Sequence, residues 1–320
     1  MKKILKTILL ILLALVLAVG IYAGYVFAYL PDYSFFMDGG TESRAESRES
    51  VEKTLDGITE YMAEEDSDIY TIQEVDRPST RSYQVDEKDI IRCSDAMREY
   101  CSTFAVNYDS PYLFYPVTEP HGKNYSGLLT LSDYAIEKAV RRSLPVQTDI
   151  AKVLDLDRCY SVNRMTTEVE GRELCVYNIH LSAYTTDETI ADRQLDMLYD
   201  DMKSEYEKGN YVVVGGDFNK DLTGNSGEIF GVSGEEYSWS KPFKTEELPD
   251  MFTLVDSLDH ENPVPSNRNA NEAWNPETTF RNVLDGFIVS DNIEVISSEI
   301  VNLDFIYSDH NPVTMTFRLK

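Results

Sequence analysis

Cysteine is scarce in this chain. Cys93, Cys101, Cys159 and Cys175 are the four present, and no two are spaced as a Cys-x-x-Cys pair. That excludes a zinc finger or ribbon and a dense disulfide framework. Cys159 and Cys175 fall on two strands expected to form a hairpin, so a bridge between them is left open. Basic charge is also short: 29 Lys and Arg stand against 56 Asp and Glu, a formal charge of −27. Proteins that grip nucleic acid along its backbone carry a basic face, because phosphate contacts supply much of that affinity. No strong nucleic-acid footprint is expected here, and only weak, metal-bridged contact with a nucleic acid stays compatible with the charge. Internal repeats and low-complexity linkers are missing too. The polar motifs run from Glu74 to His310 and must meet to act together, so residues 31–320 are expected to form one domain.

The first thirty residues are of another kind. Lys2, Lys3 and Lys6 precede an uncharged apolar stretch from Thr7 to Leu30. About 20 such residues cross a bilayer, whereas a signal-peptide core is about 7–15 long. The expectation is an N-terminal membrane anchor over residues 1–30. It would be single-pass in the cytoplasmic membrane, its basic flank inside and the rest of the chain extracytoplasmic. A cleaved signal peptide is the alternative.

The polar motifs share a placement. Ser308-Asp309-His310-Asn311-Pro312 opens a short apolar strand. Buried in a core, the Asp and the His would each need a partner, but at a strand mouth they set a hard ligand and an imidazole on adjacent faces. Leu284-Asp285-Gly286-Phe287 starts an apolar strand with a lone acid, and Val212-Val213-Val214-Gly215-Gly216-Asp217-Phe218-Asn219 ends one with an acid and an amide two residues apart. That spacing keeps Asp217 and Asn219 on one side of an extended segment. Val176-Tyr177-Asn178-Ile179-His180-Leu181 repeats the pattern, and Ile69-Tyr70-Thr71-Ile72-Gln73-Glu74-Val75-Asp76 carries Glu74 near its carboxyl end. Taken singly, each has a plain structural reading as a turn, a cap or a core histidine. Together they describe a polar site where strand ends converge.

Between the motifs, Val51, Leu55, Ile58 and Met62 recur at helical spacing over Ser50–Met62. Residues Lys88–Val106 are a second helical candidate, and Gly127–Ser132 reads as a strand. Cys159–Met165 and Glu173–Ile179 read as hairpin partners about Gly171. Thr185 with Glu188 forms a capping-box signature for a helix that buries Leu195, Leu198, Met202 and Tyr206 and stops at Gly209. A βαβ-like step then delivers the Asp217 strand. Residues 221–279, rich in Gly, Pro, Asn and Ser, read as loops around the site that govern substrate choice.

The ordered set Gln73-Glu74-Val75-Asp76, Asn178-Ile179-His180-Leu181, Gly215-Gly216-Asp217-Phe218-Asn219, Asp285-Gly286-Phe287 and Ser308-Asp309-His310-Asn311-Pro312 resembles the endonuclease/exonuclease/phosphatase superfamily. The resemblance covers nearly all of the chain beyond the first thirty residues. It implies an α/β fold, a four-layered sandwich of two packed mixed β-sheets flanked by helices. It also implies divalent-metal-dependent hydrolysis of phosphate esters, the substrate being a small molecule, a lipid headgroup or a nucleic acid. Such cleavage needs a hard cation, an activated water and donors where negative charge grows. By resemblance, Glu74 and Asp309 hold Mg²⁺, with Mn²⁺ as a substitute. Asp217 and Asn219 position the attacking water, Asp285 holds His310 at the phosphoryl oxygen, and His180 donates from the other side. Asn178, Arg81, Lys123 and Arg164 are the candidate substrate contacts; for the three cations, solvated surface charge is the alternative.

One departure from the family stands out. Members open with a central strand ending in a metal-binding Asn, yet no Asn precedes Asn107 here. The first family strand is therefore expected to be missing. That leaves a second reading beside the membrane-anchored phosphohydrolase, a catalytically impaired member that acts as a binding protein or survives as a defective copy.

Overall fold

A computed structural model describes residues 45–113, 120–147, 156–183, 188–231, 240–270 and 273–320. Its first element, α1 (Arg48–Glu65), starts where Ser47 and Ser50 cap one another reciprocally, each side chain accepting the other's backbone N–H. The helix ends at Asp66 in the left-handed conformation, and Val51, Leu55 and Met62 are buried. They pack on the outer face of a three-stranded antiparallel sheet ordered β1-β3-β2: β1 (Ile69–Asp76), β2 (Cys101–Leu113) and β3 (Gly122–Ser132).

A six-stranded sheet lies against the inner face of the first. Its order is β4 (Ile136–Ser143), β5 (Cys159–Thr166), β6 (Glu173–His180), β7 (Tyr211–Asp217), β11 (Asp285–Ser290) and β8 (Phe252–Leu254). Only β6 and β7 pair in parallel, across α3 (Glu188–Glu207), which is the expected βαβ step. Leu198 and Met202 of α3 are fully buried over Tyr177, Val212 and Val214. Each such burial contributes roughly 1.5–3 kcal/mol. The helix stops at Gly209, whose φ of 87° suits a residue without Cβ. Helix, sheet, sheet and helix thus stack as the four layers expected.

The interface between the sheets is polar. Asn163 donates to Thr130 and accepts from Thr103, while Asn178 donates to the Leu129 carbonyl. Smaller elements complete the fold: α2 (Glu87–Cys93), α4 (Ser226–Ile229), the ribbon β9 (Asn267–Arg268) with β10 (Arg281–Asn282), and the hairpin β12 (Ile293–Ile300) with β13 (Val313–Leu319). Among the described residues, β1 pairs only with β3 and β13 only with β12, so each has one free edge.

Several expectations change. The helix sought over Lys88–Val106 stops at Cys93, where the Ser94 hydroxyl binds the Ile91 carbonyl. Thr103, Phe104 and Val106 lie instead in β2, where such side chains fit a pleated surface. Cys159 and Cys175 are buried and free, for the hairpin register sets Cys175 opposite Arg164. Thr185, the expected cap, is outside the described residues.

The expected membrane location is also corrected. Among the described residues no helix is long and apolar enough to cross a membrane. The two longest, α1 and α3, are apolar on one face only and carry charge around the rest, as helices on a water-exposed surface do. The proposed anchor over residues 1–30 lies outside the described residues.

Candidate active site

The site begins with a register. His180 ends β6 and pairs in parallel with Asp217, the last residue of β7; Asp285, the first residue of β11, pairs with Asp217 on the other side. Three neighbouring strands thus present an imidazole and two carboxylates in one row. The glycines behind Asp217 make this possible. A Cβ on Gly216, whose φ is 141°, would come within 2.2 Å of the Ile179 carbonyl oxygen.

Asp217 is 6% exposed and accepts from the Asn219 backbone N–H at 2.7 Å and its side-chain amide at 3.2 Å. That amide also donates to the Leu181 carbonyl, and Asn219 sits at φ 50°, so its place is fixed from both sides. Burial first, and then the charge of Asp285, push the Asp217 carboxyl up to about 7.

Asp285 receives Nδ1 of His310 at 2.8 Å. Burial disfavours the charged ring, but Asp285, and after it Asp309 and Asp217, outweigh that and hold His310 protonated well above the ordinary histidine range. A protonated ring donates through both nitrogens. The Asn267 side-chain nitrogen lies 2.9 Å from Nε2 and also donates to the Asp309 carbonyl.

Glu74 arrives by a different device. Between the pairs Ile72–Leu129 and Val75–Gly127, β1 has two residues where β3 has one, and Glu74 adopts φ 54° in that bulge. Bulges re-aim side chains beside active sites. Here the bulge sends Gln73 to Asn178 at 2.8 Å, while Glu74 lies 3.9 Å from Nε2 of His180. Partial desolvation works against the Glu74 charge, but the neighbouring Arg81 guanidinium above all outweighs it and keeps the exposed carboxyl at about 2. Arg81 also grips Asp76 at 3.0 Å.

His180 is 5% exposed, and its Nε2 is 3.6 Å from Asp217. Burial and the nearby Arg158 charge lower it to about 3, so the ring is neutral. Asp309 accepts from the Ser308 hydroxyl, and its carbonyl accepts from the Arg268 N–H.

The other candidates divide. Arg81 joins Glu74 at the cleft. Lys123 is exposed on β3, its backbone paired with Thr80. Asn178 is fully buried and tied to Gln73, Leu129 and Thr130, so it joins the sheets rather than facing a substrate. Arg164 is held by Glu205 at 2.9 Å, opposite Cys175. That is five residues along β6 from His180, on the order of 16 Å at a strand's rise. Gln73, Asn107 and Asn267 are site neighbours that the motif reading passed over. Gln73 adjoins Glu74 in sequence, but Asn107 and Asn267 carry no local signal.

Asp217, Asp285 and His310 offer ligand atoms within 4.8 Å of one another, but His310 joins such a donor set only once it has given up its proton. Glu173, Cys175 and Glu205 are equally close, yet Arg164 and Lys208 already neutralise Glu205.

No curated protein matches the sequence. Solved structures do. The endonuclease/exonuclease/phosphatase of Bacteroides vulgatus aligns at 16% identity with a TM-score of 0.53, over 84% of this chain and 91% of that one. ANGEL2, a 2',3'-cyclic phosphatase in complex with adenosine-2',3'-vanadate, aligns at 15% identity and 0.56, over 82% and 85%. D. rerio TDP2 with a single-strand DNA product aligns at 13% and 0.54, over 84% and 93%. At these identities the likeness establishes a shared fold. The sequence model described as the Endonuclease/Exonuclease/phosphatase family matches residues 37–310, and the chain belongs to that family.

Proposed function

We propose that this protein is a divalent-metal-dependent phosphoesterase. The observation that supports it best is the row His180–Asp217–Asp285 with His310 docked on Asp285. It sets a neutral donor, an acid near neutrality and a protonated imidazole around one cleft. Asp217, raised to about 7, takes a proton from the attacking water, which Asn219 helps to orient. His310, kept cationic by Asp285, meets the negative charge that grows on the phosphoryl oxygen. His180 donates from the opposite side, and Arg81 adds positive charge beside Glu74.

Glu74 and Asp309 would hold Mg²⁺, or Mn²⁺ in its place. The fit rests on donor chemistry: Glu74 is an exposed carboxylate kept ionised, and oxygen is the ligand both ions prefer. When bound, such an ion neutralises charge on the phosphoryl group. The acidic surface favours a compact phosphate ester over a long nucleic-acid track.

A second reading has its own observation. Among the described residues, β1 of the first sheet and β13 of the separate hairpin each keep a free edge, as expected of a member without its first strand. On that reading the chain binds phosphate esters without turning them over. Hydrolysis of bis(4-nitrophenyl) phosphate, and of a nucleoside 2',3'-cyclic phosphate, with Mg²⁺ and with EDTA decides between the two. Turnover abolished by EDTA and by Asp217→Asn supports the enzyme; no turnover of either ester at high Mg²⁺ overturns it.

A further inference from the structure

Asn107 occupies an unusual place in β2. Val106 pairs with Gly127 and Tyr108 with Ser126, so Asn107 is the extra residue of a second β-bulge, with no partner of its own on β3. The bulge turns its side chain toward the six-stranded sheet, where it is 4% exposed. Its two amide ends have separate tasks. One lies 2.8 Å from the backbone N–H of Cys159, and the other lies 3.3 Å from Nδ1 of His180.

A backbone N–H can only donate, so the end facing Cys159 is the carbonyl oxygen. The end facing His180 is then the NH₂ group, which can only donate. Nδ1 must therefore accept, and a neutral imidazole that accepts at Nδ1 carries its proton on Nε2. Nε2 is the nitrogen that points at Asp217 and Glu74, 3.6 and 3.9 Å away. We infer that Asn107 is a positioning residue that locks His180 in the Nε2–H tautomer and so keeps a hydrogen-bond donor aimed into the cleft. The chain of constraint runs from the Cys159 backbone through one amide to the site, and every link is buried.

The inference rests on the phosphoesterase reading only for its consequence; the tautomer itself is independent of turnover. An aspartate at this position would reverse the constraint. It is nearly isosteric, but facing Cys159 and His180 it offers acceptors only, so Nδ1 would have to carry a proton. Alanine would leave Nδ1 without a partner and the tautomer unspecified.

Long-range ¹H–¹⁵N correlation of histidine-labelled protein tests this, with the His180 signals assigned by their loss in His180→Gln. In the parent, with and without Mg²⁺, His180 is expected to show a bare Nδ1 and a protonated Nε2. Asn107→Asp should protonate Nδ1, and kcat on the esters above should fall about tenfold or more with KM little changed. If Asn107→Asp does not fold, Asn107→Ala should give signals averaged between the two tautomers. A parent spectrum with Nδ1 protonated overturns the inference, as does a His180 pattern unmoved in the variants. A parent that has the expected tautomer but hydrolyses nothing sinks the enzyme reading and leaves this one standing.

Discussion

Asp217 and Asp285 face one another directly across the antiparallel pair of β7 and β11, two carboxylates at one register. Like charges so placed destabilise a sheet and drive one of the pair toward its protonated form. His310, bound to Asp285 at 2.8 Å, takes up part of that cost. The rest stays in Asp217, whose carboxyl is pushed up to about 7. An acid raised in this way stabilises the folded state fully below its unfolded value, and the contribution is lost as pH rises through 7.

Asp217→Asn should accordingly be a better-folded, poorer catalyst. Without the buried charge, urea denaturation at pH 8 should show a gain of roughly 1–2 kcal/mol, fading by pH 4, where the parent's Asp217 is already neutral. Turnover should fall about 10²–10⁴-fold with the lost general base. Equal destabilisation at both pH values would mean that the carboxylate's bonds to Asn219 matter more than its charge.

Glu74→Gln should behave otherwise. The amide keeps an oxygen but loses the charge that Arg81 holds ionised, so the variant should bind Mg²⁺ more weakly with little change in Tm. Titrating activity against Mg²⁺ should recover part of the loss, whereas raising Mg²⁺ should leave Asp217→Asn unrescued. Identical metal dependence in the two variants would remove Glu74 from the ion.

Arg164→Met should cost stability and spare the chemistry. It leaves the Glu205 carboxylate, 2% exposed, with Lys208 as its remaining cation and neutral donors from Asn210 and Cys175, a loss of about 3 kcal/mol in denaturant unfolding. The Arg164 hydrogen bond is the main cause that holds Glu205 at about 2. That stabilisation is present above the unfolded carboxyl's value and is lost as pH falls toward 2, so the variant should show a shallower acid limb. A tenfold fall in kcat for folded Arg164→Met would restore this residue to the substrate.

Gly216→Ala should strike fold and site together. Its Cβ would meet the Ile179 carbonyl oxygen at 2.2 Å, on a backbone already at φ 141°. Thermal and urea unfolding should report a loss of more than about 2 kcal/mol, and activity should drop because Asp217 is the next residue. Unchanged stability would show that the β6–β7 junction yields more easily than close-packed backbone should.

The sequence by itself determined the candidate site residues and the kind of element that holds each. Glu74, His180, Asp217, Asp285 and His310 were legible because a strand's two-residue period and its flanking glycines are local properties. The α1 and α3 stripes were legible for the same reason, and so was the β5–β6 hairpin. Tertiary structure alone decided the rest. Nothing local says that His180, Asp217 and Asp285 share one level of a sheet, because register is set by long-range pairing. The two bulges that aim Glu74 and Asn107 exist only as a mismatch between strands distant in sequence. Arg81 and Arg164 read alike as free cations, yet one reached the cleft and the other Glu205. A long, flexible cation takes whichever carboxylate the fold brings near, and in so acidic a chain that choice belongs to the packing.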